Sequence, residues 1–224
     1  MQYLFPVLCV VFVLLFMYQE YKKKYVQAVC LKGTASACFV LFGAFCSRAC
    51  PDPDFARQII TGLILGMIAD ILLNLRFVFK KNGQLIFLAG ILVFLSGHIA
   101  YLAALVPNCG NLAFCLIAGV VLTAAALYFI FKKITAKPAF KIFGVFYIGA
   151  VMIMTCVAAG RLISNPSAHT AVFFTGALSF LISDVVLILN TFGKTSKQSL
   201  RVVNLSLYYI GQLLIGLSLM LPGF

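Results

Sequence analysis

The sequence is poor in acid, with five Asp and Glu in 224 residues, and it has two histidines and only 10% charged residues of any kind. A soluble domain carries roughly a quarter charged residues and about half apolar ones, because water must wet its surface. This scarcity excludes an ordinary soluble enzyme. Seventeen Lys and Arg give a net charge of +12, yet no basic recognition helix or stacking platform accompanies them, and no nucleic-acid partner is expected. There is no CxxC pair, so a zinc or redox motif has no support. No loop is long enough to bury a core of its own, so no separate soluble domain is expected. The apolar runs also lack central prolines, and with them any sign of the broken helices found at many transporter sites.

What the chain does have is hydrophobicity: 63% hydrophobic residues and a mean hydropathy of +1.11. A helix crossing about 30 Å of hydrocarbon needs roughly 20 apolar residues. Eight runs qualify, approximately Tyr3 to Tyr18, Ala28 to Phe45, Gln58 to Leu75, Gln84 to Val106, Leu112 to Phe131, Ile142 to Ile163, His169 to Phe192 and Val202 to Leu221. The expected fold is all-α, a polytopic membrane protein of eight transmembrane helices forming one domain over residues 1–224.

Loop charges orient these spans. Lys22, Lys23 and Lys24 follow the first; Arg76, Lys80 and Lys81 the third; Lys132, Lys133, Lys137 and Lys141 the fifth; Lys194, Lys197 and Arg201 the seventh. Thirteen of the seventeen bases thus share one side, against Arg48, Arg57 and Arg161 on the other, with Lys32 at the start of span two. The positive-inside rule then puts both termini on the non-cytoplasmic side of the cell membrane, the inner membrane in a bacterium. The first span lacks a basic leader and a small-residue cleavage site, so it is expected to stay in the mature protein. Of the eight cysteines, Cys9, Cys30, Cys38, Cys115 and Cys156 fall in or at the ends of apolar spans, where Cys acts as a small hydrophobe. Cys46, Cys50 and Cys109 lie near the outer face, where one bridge is the alternative.

Sliding the chain by 114 residues superposes Thr61 on Thr175, Gly62 on Gly176, Asp70 on Asp184, Lys80 on Lys194, Gln84 on Gln198 and Gly97 on Gly211. It sets Phe94 against Tyr208 and His98 against Gln212. An offset of four spans preserves orientation, so the expectation is a parallel repeat of two four-helix halves, residues 1–110 and 111–224.

Only Asp70 and Asp184, among the five acids, lie inside apolar spans. A carboxylate at bilayer depth costs about 2.5–3.5 kcal/mol on insertion scales, which marks both as candidate functional residues. Each precedes its loop lysine by ten residues, about 15 Å of helix, so the two sit at similar depth. Gly62, Gly66, Asp70 and Asn74 form one stripe of span three; Gly176, Phe180 and Asp184, with Ser183 adjacent, form its counterpart in span seven. Gly90, Phe94, His98 and Tyr101 share a face of span four, and Asn204, Tyr208, Gln212 and Gly216 a face of span eight. The glycines read as close-packing positions, and His169, at an outer span boundary, reads as interfacial.

The stretch Gly66 to Tyr101, with Ala69-Asp70 and Gly90-x3-Phe94-x3-His98-x2-Tyr101, resembles the first half of the YhhN-like, lysoplasmalogenase-type family of integral membrane proteins. Gly176-Ala-x2-Phe180-x2-Ser183-Asp184 and Tyr208-Tyr209-x2-Gln212 resemble its second half. The chain departs from the family pattern at Ala69, where the family has Gly, and at Lys32-Gly33, where it has Lys-Pro. The resemblance implies hydrolysis of the vinyl ether bond of lysoplasmalogens to a fatty aldehyde and a glycerophospho-headgroup. The partners it implies are a lysophospholipid substrate and the surrounding membrane lipid.

The residues suit that chemistry. Protonating the β-carbon of a vinyl ether gives an oxocarbenium ion, which water captures as a hemiacetal that collapses to aldehyde and alcohol. Two carboxyls side by side, sharing one proton, supply the acid and the anion, as in glycosidases. Asp70 and Asp184 are the expected catalytic pair, without metal or cofactor. Asn74, His98, Tyr101, Ser183, Tyr208 and Gln212 are expected to position water and the ether oxygen, and Lys32 or loop lysines to meet the phosphate. Two alternatives stand beside this reading. One is a lipid or small-solute transporter using the aspartates as proton or cation sites; the other is a metal-dependent lipid hydrolase built on Asp70, His98 and Asp184.

Overall fold

In hydrocarbon a backbone N–H or C=O finds no water to bond, so a spanning segment must satisfy these groups internally. Each of the eight apolar runs accordingly becomes one helix in the computed structural model, which describes residues 3–223. Residues 1, 2 and 224 of the expected domain lie outside the described residues. The helices are α1 Leu4–Tyr21, α2 Tyr25–Cys46, α3 Pro53–Val78, α4 Gly83–Leu105, α5 Leu112–Lys133, α6 Pro138–Ser164, α7 Ala168–Phe192 and α8 Gln198–Ser218. All eight are long and apolar enough to cross a membrane.

Several helices extend past their apolar runs because polar residues start them well. Asp52 caps α3 by accepting from the backbone N–H groups of Asp54 and Phe55, each at 3.0 Å. Pro53 stands at the first helical position, where no N–H is needed. Pro138 opens α6 in the same way. At α7, Ser167 Oγ accepts from the Thr170 N–H at 3.2 Å while Thr170 Oγ1 accepts from the Ser167 N–H at 3.1 Å, a reciprocal cap.

The larger helix pairings are α1 on α2, α5 on α6, α3 on α4, α7 on α8, α2 on α3, α6 on α7, α2 on α8 and α6 on α4, with smaller contacts of α3 on α8 and α5 on α7. Two of these contacts are backbone to backbone. A Cβ at Gly97 would lie 3.2 Å from the Gly62 carbonyl oxygen, and one at Gly211 would lie 2.9 Å from that of Gly176. Small residues let the helices approach this closely. Residues on the outer surface are apolar, among them Val10, Leu14, Phe114, Ile117 and Phe129, as lipid contact demands. At the lysine-rich end, Thr135 donates its N–H to the Phe192 carbonyl at 2.8 Å, tying the α5–α6 loop to the end of α7.

All eight cysteines are free. Cys46 points its thiol at Met220 Sδ at 3.5 Å and Cys109 points at Cys115 at 3.8 Å, so no bridge forms among Cys46, Cys50 and Cys109.

Gly211→Ala should lower the unfolding temperature in detergent by an amount corresponding to about 1–3 kcal/mol of overpacking. Gly144→Ala, where an added Cβ meets nothing within 4 Å, should not. Thermal unfolding followed by exposure of the buried cysteines measures both; equal melting of the two variants would refute the close α7–α8 contact.

Candidate functional site

Asp70 and Asp184 each sit eight residues before the last residue of their helix, about 12 Å from the lysine-rich end. They are 2% and 3% exposed. Both line one cavity that is partly open to the exterior. Its wall is largely apolar, with Leu127, Ile130 and Phe131 of α5 facing Leu187 and Ile188 of α7.

The two carboxyls are treated unequally. Asp70 Oδ1 pairs with Lys32 Nζ at 2.9 Å, both side chains almost fully buried. Its Oδ2 accepts from Ser36 Oγ at 2.6 Å and from Tyr208 Oη at 2.7 Å. Lys32 and Ser36 lie one turn apart on α2, so a single helix face delivers both donors. Asp184 accepts one hydrogen bond, from Tyr147 Oη at 2.8 Å, and no cation pairs with it among the described residues.

Behind Asp70 runs a chain of donors. Tyr101 Oη donates to Gln212 Oε1 at 2.8 Å, Gln212 Nε2 approaches Tyr208 Oη at 3.4 Å, and Tyr208 donates to Asp70. The small stripe on α3 makes room for it. A Cβ at Gly62 would collide with the Tyr101 ring, and one at Gly66 would lie 2.8 Å from Gln212 Nε2. Phe94 packs edge-on against both Tyr147, the partner of Asp184, at 6.4 Å between ring centroids, and Tyr208, a partner of Asp70, at 5.8 Å.

Of the residues expected at the site, Lys32, Asp70, Asn74, Asp184 and Tyr208 line the cavity. Asn74 is one turn beyond Asp70 and 3% exposed. Tyr101 and Gln212 stand behind the cavity wall as the donor chain. Ser183 is a helix clasp: its Oγ donates to the Asn204 carbonyl at 3.0 Å, and Asn204 Nδ2 donates back to the Ser183 carbonyl at 2.9 Å. His98 lies outside the cavity lining, its ring edge-on to Phe180 at 4.6 Å and near Tyr147 at 5.5 Å. Neither of its nitrogens has a hydrogen-bond partner among the described residues. His169 is buried, not interfacial, with Nδ1 2.9 Å from the Ser218 carbonyl oxygen. The end of α8 folds over it.

Sequence reasoning missed Ser36 and Tyr147. Ser36 had a signal, its four-residue spacing from Lys32; Tyr147 had none, being one aromatic among many in an apolar span. Arg76, Lys141 and Arg201, expected as loop charges, all line the cavity. Arg201 is matched there by Glu20, through Nη2 to Oε1 at 2.7 Å and Nε to Oε2 at 3.1 Å. No three His, Cys, Asp or Glu side chains gather at metal-ligating distance among the described residues.

A family model, that of the YhhN family, matches residues 1–219. No curated protein and no solved structure matches the chain.

Removing one member of a buried ion pair strands the other. Lys32→Met should therefore destabilise the folded protein by about 3–5 kcal/mol, and adding Asp70→Asn should recover much of that loss. Unfolding of the two single variants and the double variant in detergent gives the coupling; additive losses would show that the pair is not coupled.

Proposed function

Since the chain belongs to the YhhN family, we propose that it hydrolyses the vinyl ether bond of lysoplasmalogens in the cavity lined by Asp70 and Asp184. The observation that carries the reading is the unequal surroundings of two carboxyls in one apolar cavity. Asp70 has a lysine and two hydroxyl donors. These hold it as the anion. Asp184 has only the neutral phenol of Tyr147, and is assigned the proton. Pairs of carboxyls set apart by their environments are how one site provides both an acid and an anion.

The steps follow. The alkenyl chain lies along the apolar wall with its vinyl ether between the aspartates. Asp184 gives its proton to the β-carbon, the C=C π electrons form the new C–H bond, and positive charge develops across the α-carbon and ether oxygen. Asp70 stabilises that oxocarbenium ion electrostatically, worth far more in a water-poor cavity than in solvent. A water held by Asn74 adds to the α-carbon and returns its proton to Asp184, which is thereby reset. The hemiacetal then collapses, its hydroxyl proton passing to the departing glycerol oxygen, to leave the fatty aldehyde and the glycerophospho-headgroup. Tyr208 holds Asp70 through its hydroxyl, and Gln212 and Tyr101 stand behind Tyr208.

Continuous helices through both aspartates favour this reading over transport, since α3 and α7 offer no unwound backbone to coordinate an ion.

Asp184→Asn should lower kcat for aldehyde release by about 10²–10⁴-fold, the usual contribution of a general acid, without loss of melting temperature. Asp70→Asn should also abolish turnover, and Asn74→Ala should only slow it. In D2O the product aldehyde should carry one deuterium at the carbon next to its carbonyl. Undiminished turnover by purified Asp184→Asn or Asp70→Asn protein would refute the dyad.

A further inference from the structure

Four cations line the cavity: Lys32, Arg76, Lys141 and Arg201. Two are already matched, Lys32 by Asp70 and Arg201 by Glu20. Arg76 and Lys141 form no ion pair among the described residues. Arg76 is also held in place. Its guanidinium lies 4.3 Å from the Phe87 ring centroid and 4.6 Å from that of Phe77, and its Nε is buried without a hydrogen-bond partner. Phe87 packs in turn on Phe140, the neighbour of Lys141, at 5.6 Å. Lys141 Nζ lies 5.8 Å from the ring centroid of Phe131, another residue of the same cavity lining. A partly buried guanidinium with an unused donor is suited to a planar oxyanion, since arginine offers a rigid fork of N–H groups.

The spacing selects the anion. Arg76 follows Asp70 by six residues on one continuous helix, about 9 Å of rise toward the mouth. In a 1-alkenyl lysophospholipid, seven bonds separate the vinyl β-carbon from phosphorus, roughly 9 Å when extended at ordinary bond dimensions. A lipid whose vinyl ether lies at the aspartates therefore brings its phosphate to the level of Arg76.

We propose that Arg76, with Lys141 in the same cavity lining, binds the phosphodiester of the lipid substrate and gives the site its preference for phosphate-bearing lysolipids. Lys32, by contrast, is committed to Asp70. This assignment rests on the vinyl ether reading for its register and on the unmatched cations for its chemistry.

The test compares wild-type protein, Arg76→Gln, Arg76→Lys and the exposed-loop control Lys81→Gln. Substrates are a 1-alkenyl-glycerophosphocholine and the corresponding 1-alkenylglycerol, which has no phosphate. Arg76→Gln should raise KM for the phospholipid about ten- to a hundredfold, the range of a charge-assisted hydrogen bond. Its kcat should stay within about twofold, and its kinetics on the alkenylglycerol should be unchanged. Arg76→Lys should recover part of the loss, and Lys81→Gln should match wild type. An unchanged KM for the phospholipid in Arg76→Gln, or an equal rise for both lipids, overturns the proposal while leaving the vinyl ether reading intact.

Binding of the non-hydrolysable 1-alkyl-glycerophosphocholine, followed by the shift in melting temperature, separates the two ideas in the other direction. If wild-type protein releases no aldehyde from either lipid, the vinyl ether reading fails. Arg76-dependent binding of the alkyl lipid then still upholds the phosphate site, and equal binding by Arg76→Gln overturns it. Inorganic phosphate should give no comparable shift, and an equal Arg76-dependent shift from it would overturn the assignment to a lipid headgroup.

Discussion

A carboxylate held at bilayer depth has to find its charge balance and its hydrogen-bond donors within its own protein, because hydrocarbon supplies neither. Lys32 and Asp70 answer that demand for each other at 2.9 Å, and much of the surrounding structure follows from keeping them together. The pair joins α2 to α3. Ser36 adds a second link from α2, and Tyr208 brings in α8. Tyr101 and Gln212 then hold Tyr208 in line, which is possible only because Gly62 and Gly66 present no side chain where those two lie. The small residues of α3 are thus tied to the electrostatics of Asp70 as well as to helix packing.

The second carboxyl, that of Asp184, meets a different environment. Where α2 brings an ammonium and a hydroxyl to Asp70, α6 brings one phenol to Asp184. A phenol donates a hydrogen bond but no charge. Two acids at the same distance from their helix ends therefore face one cavity with unequal electrostatic support, and the proposed acid chemistry grows from that difference, not from the presence of two aspartates as such.

The eight helices were legible because a spanning length of apolar sequence is hard to disguise. Their ends were less so, since Asp52 and Pro53 start α3 before the apolar run begins, by satisfying backbone groups that a hydropathy reading ignores. The faces of α3, α4, α7 and α8 read from four-residue spacing are the buried faces of those helices. What the spacing did not reveal was which interior groups touch the cavity. His98 and Gln212 share the interior with Asn74, and only tertiary packing puts Asn74 on the cavity and the other two behind it. Lysines and arginines posed the converse problem. A base near a helix end reads as a loop charge, but a long side chain can reach along its helix, and Arg76, Lys141 and Arg201 reach inward to line the cavity. Tyr147 was illegible, because a tyrosine among apolar residues looks the same whether or not its hydroxyl meets a carboxylate.

The proposed chemistry requires one protonated and one ionised carboxyl in the cavity, with the proton on Asp184. Infrared difference spectroscopy of the purified protein at neutral pH addresses it directly, through the C=O stretch of a protonated carboxylic acid and its shift in D2O. One such band is expected in the wild-type protein, absent from Asp184→Asn and retained in Asp70→Asn. A band that survives in Asp184→Asn and disappears in Asp70→Asn, or no band in the wild-type protein, would contradict it.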